Sequence, residues 1–180
     1  MILIYAFSNR WSTNISRLVL SELQKAIKNS DILFLPVNSY PQEFFRKHIQ
    51  GCLPCQGEVA EGRRGLSLII GLGDGSKFAN KIHIETQAKN AYNDKEIYPF
   101  SPIFLDLNLP NIDIYDSNYF QISANMGTYN CNYLAYKTQL YLNQHSPETK
   151  HLFLHLPQKS NAHDLAVNIV KFLSENSLVS

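Results

Sequence analysis

Ile2-Leu3-Ile4-Tyr5-Ala6-Phe7 opens the chain as a nearly unbroken apolar run. Such a run suits a strand covered on both faces. Ser12, Thr13 and Asn14 then offer N-caps, and Ile15, Leu18, Val19, Leu23, Ala26 and Ile27 recur at helical spacing, which predicts a helix to about Lys28. A doubly covered strand leading into an amphipathic helix is the building unit of a mostly parallel sheet with helices on both faces.

The same alternation continues outward. Asp31 to Val37 reads as a second strand stopped at Pro36, and Leu66 to Ile70 as a third, ending at Gly71-Leu72-Gly73-Asp74-Gly75. Lys81 to Thr86 alternates Ile82 and Ile84 with His83 and Glu85, and Tyr119 to Ser123 is a further short strand. A helix is predicted over Asn130 to Asn143, a strand over His151 to Leu156 before Pro157, and a closing helix over Ala162, Leu165, Ala166, Ile169, Val170 and Leu173. Asn93 to Asn118 carries Pro99, Pro102 and Pro110 and reads as an irregular excursion or an extra hairpin. The expected fold class is α/β, a three-layer α/β/α sandwich.

With 180 residues, one domain spanning 1–180 is expected. Sixteen Lys and Arg against fifteen Asp and Glu leave a net charge of +1, which removes the bulk electrostatic case for nucleic acid or an anionic membrane. No apolar run approaches the ~18–20 residues of a membrane span. The N-terminal stretch has no basic n-region and is too short for a signal peptide. Three cysteines are too few, and odd in number, for a disulfide scaffold, so free thiols in the cytoplasm are expected.

In open α/β sheets, chemistry gathers at the carboxyl ends of strands. Cys131 stands at the start of a predicted helix, just after a strand and the turn at Gly127. Unpaired N–H groups and the positive end of a helix favour a thiolate, and the same groups can hold an oxyanion. The bland alternative is a small buried hydrophobe. Of six histidines, His155 is singled out because Leu152, Phe153, Leu154 and Leu156 surround it in a strand; the others lie in polar stretches and read as solvated. A base of this kind is commonly oriented by a third group. Glu85 is the candidate, against the plainer reading of an exposed residue on an edge strand. Together Glu85, Cys131 and His155 suggest a Cys-His-Glu triad.

Ser123-Ala124-Asn125-Met126-Gly127-Thr128-Tyr129-Asn130-Cys131-Asn132, with Tyr133 and Tyr136 after it, resembles the nucleophile motif of the pyroglutamyl peptidase I (pyrrolidone-carboxylate peptidase) family of cysteine peptidases. Leu154-His155-Leu156-Pro157-Gln158 resembles its His segment, Glu85-Thr86-Gln87-Ala88-Lys89-Asn90 its Glu segment, and Leu68-Ile69-Ile70-Gly71-Leu72-Gly73 the strand and turn before that Glu. Leu35-Pro36-Val37 is a further similar fragment, and Asn14 falls on the Asn of the N-terminal loop. The resemblance implies an α/β/α peptidase that removes an N-terminal pyroglutamyl or related acyl group, with Cys131 as nucleophile, His155 as base and acid, and Glu85 orienting it. It implies a peptide substrate with a blocked N-terminus, no metal or organic cofactor, a cytosolic setting and frequent assembly as a homo-oligomer. Phe7, Trp11, Asn14 and Asp74 become the expected substrate-binding residues. Two departures stand out. The loop reads Phe7-Ser8-Asn9-Arg10-Trp11-Ser12-Thr13-Asn14 where the family has Phe-x-Pro-Phe-Gly-Gly, and Asp74 replaces the family's usual Gln, giving an acceptor that cannot donate.

Other readings are weaker. Cys52-Leu53-Pro54-Cys55 is a C-x-x-C without the strand-to-helix setting of a redox site, and only His48 is near enough in sequence to help it bind zinc. Gly71-Leu72-Gly73-Asp74-Gly75 lacks the third glycine of a dinucleotide fingerprint. His151 and His155 share a strand face but have no third metal ligand nearby. A non-catalytic peptide or small-molecule binding protein on the same scaffold is the rival function, motivated by the altered loop and Asp74.

Overall fold

Strand β1 (Ile2–Phe7) lies between β2 (Ile32–Val37) and β3 (Leu68–Asp74), parallel to both, and its sequence is apolar because both of its faces are covered. The computed structural model describes residues 1–7, 14–38, 40–51, 65–76, 79–114 and 118–179. Its other strands are β4 (Ile82–Glu85), β5 (Gln87–Lys89), β6 (Phe104–Asp106), β7 (Phe120–Ser123) and β8 (Lys150–Leu156). The helices are α1 (Ile15–Ala26), α2 (Pro41–Phe44), which continues as a π-helical stretch over Phe45–Gln50, α3 (Asn130–His145) and α4 (Ala162–Glu175). The main sheet has the order β2-β1-β3-β8-β4-β7. All neighbours are parallel except β4 and β8.

Side-chain alternation sorts this sheet into two cores. Ile4, Ala6, Ile70, Leu72, Leu152 and Leu154 point to one face, where Val19 and Leu23 of α1 and Leu165 and Ile169 of α4 cover them. Leu3, Tyr5, Ile69 and Phe153 point to the other, under Phe44, Phe45, Ile49 and the Leu134 and Ala135 pair of α3. Each fully buried aliphatic side chain contributes ~1.5–3 kcal/mol. The result is the expected three-layer α/β/α arrangement.

Several boundaries differ from the sequence expectation. Helix α1 ends at Ala26, short of Lys28. Pro36 does not stop β2; it pairs with Ala6 inside it. Because β2 is the sheet edge, the missing N–H costs no ladder bond on its open side. The strand Leu66 to Ile70 runs on to Asp74, so Gly71 and Gly73 are strand residues and not a turn. Within the excursion 93–118 only Phe104–Asp106, among the described residues, joins a hairpin-like ribbon, which begins earlier, with β5 pairing antiparallel to β6 through Gln87–Asp106, Ala88–Leu105 and Lys89–Phe104.

Candidate active site

Helix α3 begins at Asn130 after the turn at Gly127, whose φ of 77° favours a residue without Cβ. Cys131 therefore sits in its first turn as a free, partly exposed thiol. Among the described residues no side chain caps this helix, and its first N–H groups have no acceptor within it. Asn132 fastens the turn instead. Its Oδ1 accepts from Lys89 N at 2.7 Å, and its Nδ2 donates to Lys89 O at 2.8 Å and Ala91 O at 2.7 Å. Asn90 does the same for the next loop, accepting from the N–H groups of Ile97 and Tyr98. Sequence reading quoted both asparagines within motifs and gave them no role.

His155 and Glu85 reach the same spot from the sheet. Gly73 of β3 pairs with His155 of β8, and Glu85 of β4 pairs with Phe153, one step diagonally from His155. His155 Nδ1 donates to Glu85 Oε1 at 2.8 Å. Glu85 is 1% exposed and His155 9% exposed. The exposed-edge reading of Glu85 fails because β7 extends the sheet beyond β4. A Cβ on Gly73 would lie 2.8 Å from Cys131 Sγ and 2.9 Å from His155 Cδ2, so sulfur and imidazole share the space that this glycine leaves open.

The electrostatics follow. Burial alone would drive His155 toward its neutral form. Hydrogen bonding with the Cys131 sulfur and with Glu85, and the negative charge of both, outweigh burial and push it up to about 10. At neutral pH the imidazole is therefore a cation held between a carboxylate and a sulfur. With Nδ1 committed to Glu85, Nε2 is the nitrogen left for chemistry. Glu85 at the end of β4, Cys131 in the first turn of α3 and His155 near the end of β8 are thus brought close to one another.

The pocket candidates divide. Phe7 is buried on the α3 face of β1, with its ring 6.1 Å from that of Tyr5. Trp11 lies outside the described residues, as do Ser12, Thr13, Cys52 and Cys55. Asn14 stands at the α1 N-cap position in left-handed backbone (φ 52°) and makes no side-chain cap. Asp74 Oδ1 accepts from Ser16 N at 3.0 Å and from Ser16 Oγ at 2.7 Å, so that oxygen anchors the first turn of α1. Gln158, quoted in the His segment, donates to Gly75 O at 2.7 Å and ties the ends of β3 and β8 together.

The expectation that the other histidines are solvated fails at His151. It is fully buried, with Nδ1 3.2 Å from Gln139 Oε1, and burial lowers it to about 3. Sequence could have flagged it, because it opens the same apolar strand as His155. Among the described residues no cluster of three His, Cys, Asp or Glu is placed to hold a metal, and no helix is long and apolar enough to cross a membrane.

A thiol, a buried imidazole and a buried carboxylate in line at the strand ends of an α/β/α sheet define the class of arrangement. Solved structures give that arrangement its fold. Over 98% of this chain and 92% of the other, the structure is similar to the pyrrolidone carboxyl peptidase of Thermococcus litoralis (TM-score 0.68, 16% identity). Pyroglutamyl peptidase I of Bacillus amyloliquefaciens matches over 99% and 95% (TM-score 0.66, 16% identity). Pyrrolidone carboxyl peptidase of Fervidobacterium islandicum AW-1 matches over 98% and 97% (TM-score 0.69, 16% identity). No family model and no curated protein matches the sequence. The chain thus has the pyrrolidone carboxyl peptidase fold.

Proposed function

We propose that this chain is a cysteine peptidase of the pyroglutamyl peptidase I type, a single 1–180 unit that removes an N-terminal pyroglutamyl or related acyl group from peptides in the cytoplasm. The observation that carries the reading is the run Glu85 Oε1, His155 Nδ1 (2.8 Å) and the Cys131 sulfur beside the ring. The Cys131 thiolate attacks the carbonyl carbon of the acyl group. Backbone N–H groups in the first turn of α3 receive the oxyanion. The tetrahedral intermediate collapses, the C–N bond breaks, and the His155 imidazolium gives its Nε2 proton to the leaving amine. Neutral His155 then takes a proton from water. The hydroxide displaces the thiolate from the thioester, and the acid leaves with His155 protonated again. Glu85 fixes the tautomer and steadies the cation throughout. Every proton in this cycle is held by the chain or by water. Phe7 and Trp11 are proposed to enclose the lactam ring, with Asn14 at the loop's end. Asp74 acts through α1.

The test is hydrolysis of a fluorogenic pyroglutamyl-arylamide under reducing conditions beside Cys131→Ala. Release of the arylamine that disappears in Cys131→Ala is expected. Release that survives the substitution would refute the thiol mechanism, and no release by either protein would refute the pyroglutamyl substrate.

A further inference from the structure

The residue after the nucleophile is a buried amide. Asn132 is 0% exposed, in the first turn of α3. A buried amide is costly unless its polar atoms are paired. Those of Asn132 are paired, and all three of its hydrogen bonds, at 2.7–2.8 Å, go to the backbone of Lys89 and Ala91. Strand β5 is bonded to β6 along one edge, where Asn90 N donates to Ile103 O and Thr86 O accepts from Leu107 N. Alternation turns the N–H and C=O of Lys89 to the other edge. There the Asn132 side chain imitates a partner strand, accepting that N–H and donating to that C=O.

The backbone that Asn132 grips is continuous with Glu85. Thr86, the next residue, is pinned to β7 because its N–H and its hydroxyl both donate to Ser123 O, at 2.8 and 3.2 Å. Lys89 lies on the same short stretch and holds Asn132, whose preceding residue is Cys131. Carboxylate and thiol therefore hang from one piece of backbone, joined at a single side chain. The same stretch makes two further bonds to the start of α3. Tyr92 Oη donates to Asn130 Oδ1 at 2.9 Å in an exposed setting, and Asn93 N donates to Thr128 O at 3.0 Å. Leu134 and Ala135 press α3 onto the sheet, but apolar contact is non-directional and does not fix how far a helix slides or turns. Sliding matters here. The sulfur and the imidazole meet over the space left by Gly73, and a shift of about an ångström is enough to spoil such an alignment.

We propose that Asn132 is a positioning residue for the reaction, which sets the Cys131 sulfur in register with the Glu85–His155 pair by riveting α3 to β5. This rests on Cys131 being the nucleophile proposed above. Asn132 touches no reacting atom and acts through the backbone it shares with Cys131. The same rivet aims the first-turn N–H groups of α3 that receive the oxyanion. Directional bonds at 2.7–2.8 Å supply what apolar packing of the helix cannot, a fixed height and rotation for its first turn.

Asn132→Ala removes all three bonds. Turnover of a pyroglutamyl-arylamide and the pH profile of Cys131 alkylation by iodoacetamide are measured well below the variant's own melting temperature, beside Asn108→Ala. Asn108 is a comparable clamp beyond the far end of α3, donating to Pro147 O at 2.8 Å and Thr149 O at 3.0 Å and accepting from Lys150 Nζ at 3.0 Å. Asn132→Ala is expected to lower kcat and kcat/KM together by about 10²-fold, and to move the alkylation midpoint toward the ~8.5 of an ordinary thiol. Asn108→Ala is expected to lose stability and keep both readings. A purely structural role would lower the melting temperature of Asn132→Ala and leave its kcat and its alkylation profile at wild-type values, which overturns the role of Asn132 alone. A wild type that neither cleaves the arylamide nor alkylates below a midpoint of ~8.5 overturns this role and the proposed peptidase together. If the wild type has an activated thiol and does not cleave the arylamide, the alkylation profile of Asn132→Ala decides. Should Asn132→Ala not fold, Asn132→Ser, too short to bridge both carbonyls, takes its place. One reading needs no substitution. In the wild-type protein the Lys89 N–H should exchange with deuterium as slowly as the Asn90 N–H that β6 holds, and exchange at the rate of an open loop contradicts the rivet.

Discussion

A single methyl group placed on Gly73 would lie 2.8 Å from the Cys131 sulfur and 2.9 Å from the imidazole of His155. Neither group can yield without leaving the other, so Gly73→Ala should cut pyroglutamyl-arylamide turnover by about 10²-fold, the usual effect of an ångström-scale misplacement. Circular dichroism should show the fold intact, and undiminished turnover would mean that the two groups do not react across this space. Glu85→Gln tests the carboxylate in another way. The amide oxygen can still accept from Nδ1, but the negative charge is gone. His155 should fall from about 10 toward its ordinary 6.5, and the alkaline limb of the kcat/KM profile should move to lower pH with it. At this scale the sequence was partly legible. Glu85, His155 and Cys131 were read as candidates from the position of each at a strand or helix end. The burial of Glu85 and His151 was not, since it depends on which strand or helix lies alongside, and no local pattern carries that.

Helix α1 begins on a carboxylate borrowed from the sheet. Asp74 at the end of β3 accepts two hydrogen bonds from Ser16, while the side chain of Asn14 at the N-cap position does not cap the helix. Asp74→Ala should destabilise the protein by ~1 kcal/mol, as the loss of a capping group does, and lower its melting point by ~2–4 °C. Asp74→Asn should keep most of that stability because its amide oxygen can still accept. A raised KM with an unchanged melting point in Asp74→Ala would return Asp74 to the substrate pocket. The existence and order of the elements were readable from periodicity, and their ends less so. Pro36 and the Gly71–Gly73 pair looked like punctuation. Pro36 is tolerated because β2 is an edge, and the glycines are required because Tyr5, Phe153 and Cys131 occupy the space above them. The antiparallel placement of β4 against β8, which brings Glu85 to His155, could not be read from strand composition at all.

For the whole molecule, two histidines on one strand set opposite limits on stability. His151 is lowered to about 3 in the folded state, so below the unfolded value of ~6.5 the unfolded chain takes up a proton that the folded chain refuses. Stability should therefore fall as pH drops from ~6.5 toward 3. His155 is raised to about 10, so its contribution is full below ~6.5 and is lost as pH rises through 10. A melting-temperature profile should peak near neutrality. Its acid limb should flatten in His151→Gln and its alkaline limb in Glu85→Gln. Limbs unchanged by these substitutions would assign the pH dependence to other groups. The three-layer architecture was legible at this scale, because strand and helix patterns alternate along nearly the whole chain. Residues 8–13, where the sequence departs from the motif of the family it resembles, lie outside the described residues.

The most direct test of the central claim is to trap the acyl-enzyme. The protein is mixed with a pyroglutamyl aryl ester, quenched in acid during turnover, and its peptides are mapped by mass. One pyroglutamyl group on the peptide containing Cys131, absent from Cys131→Ala, is the expected result. Turnover with no adduct at Cys131, or an adduct carried by another residue, would contradict the account.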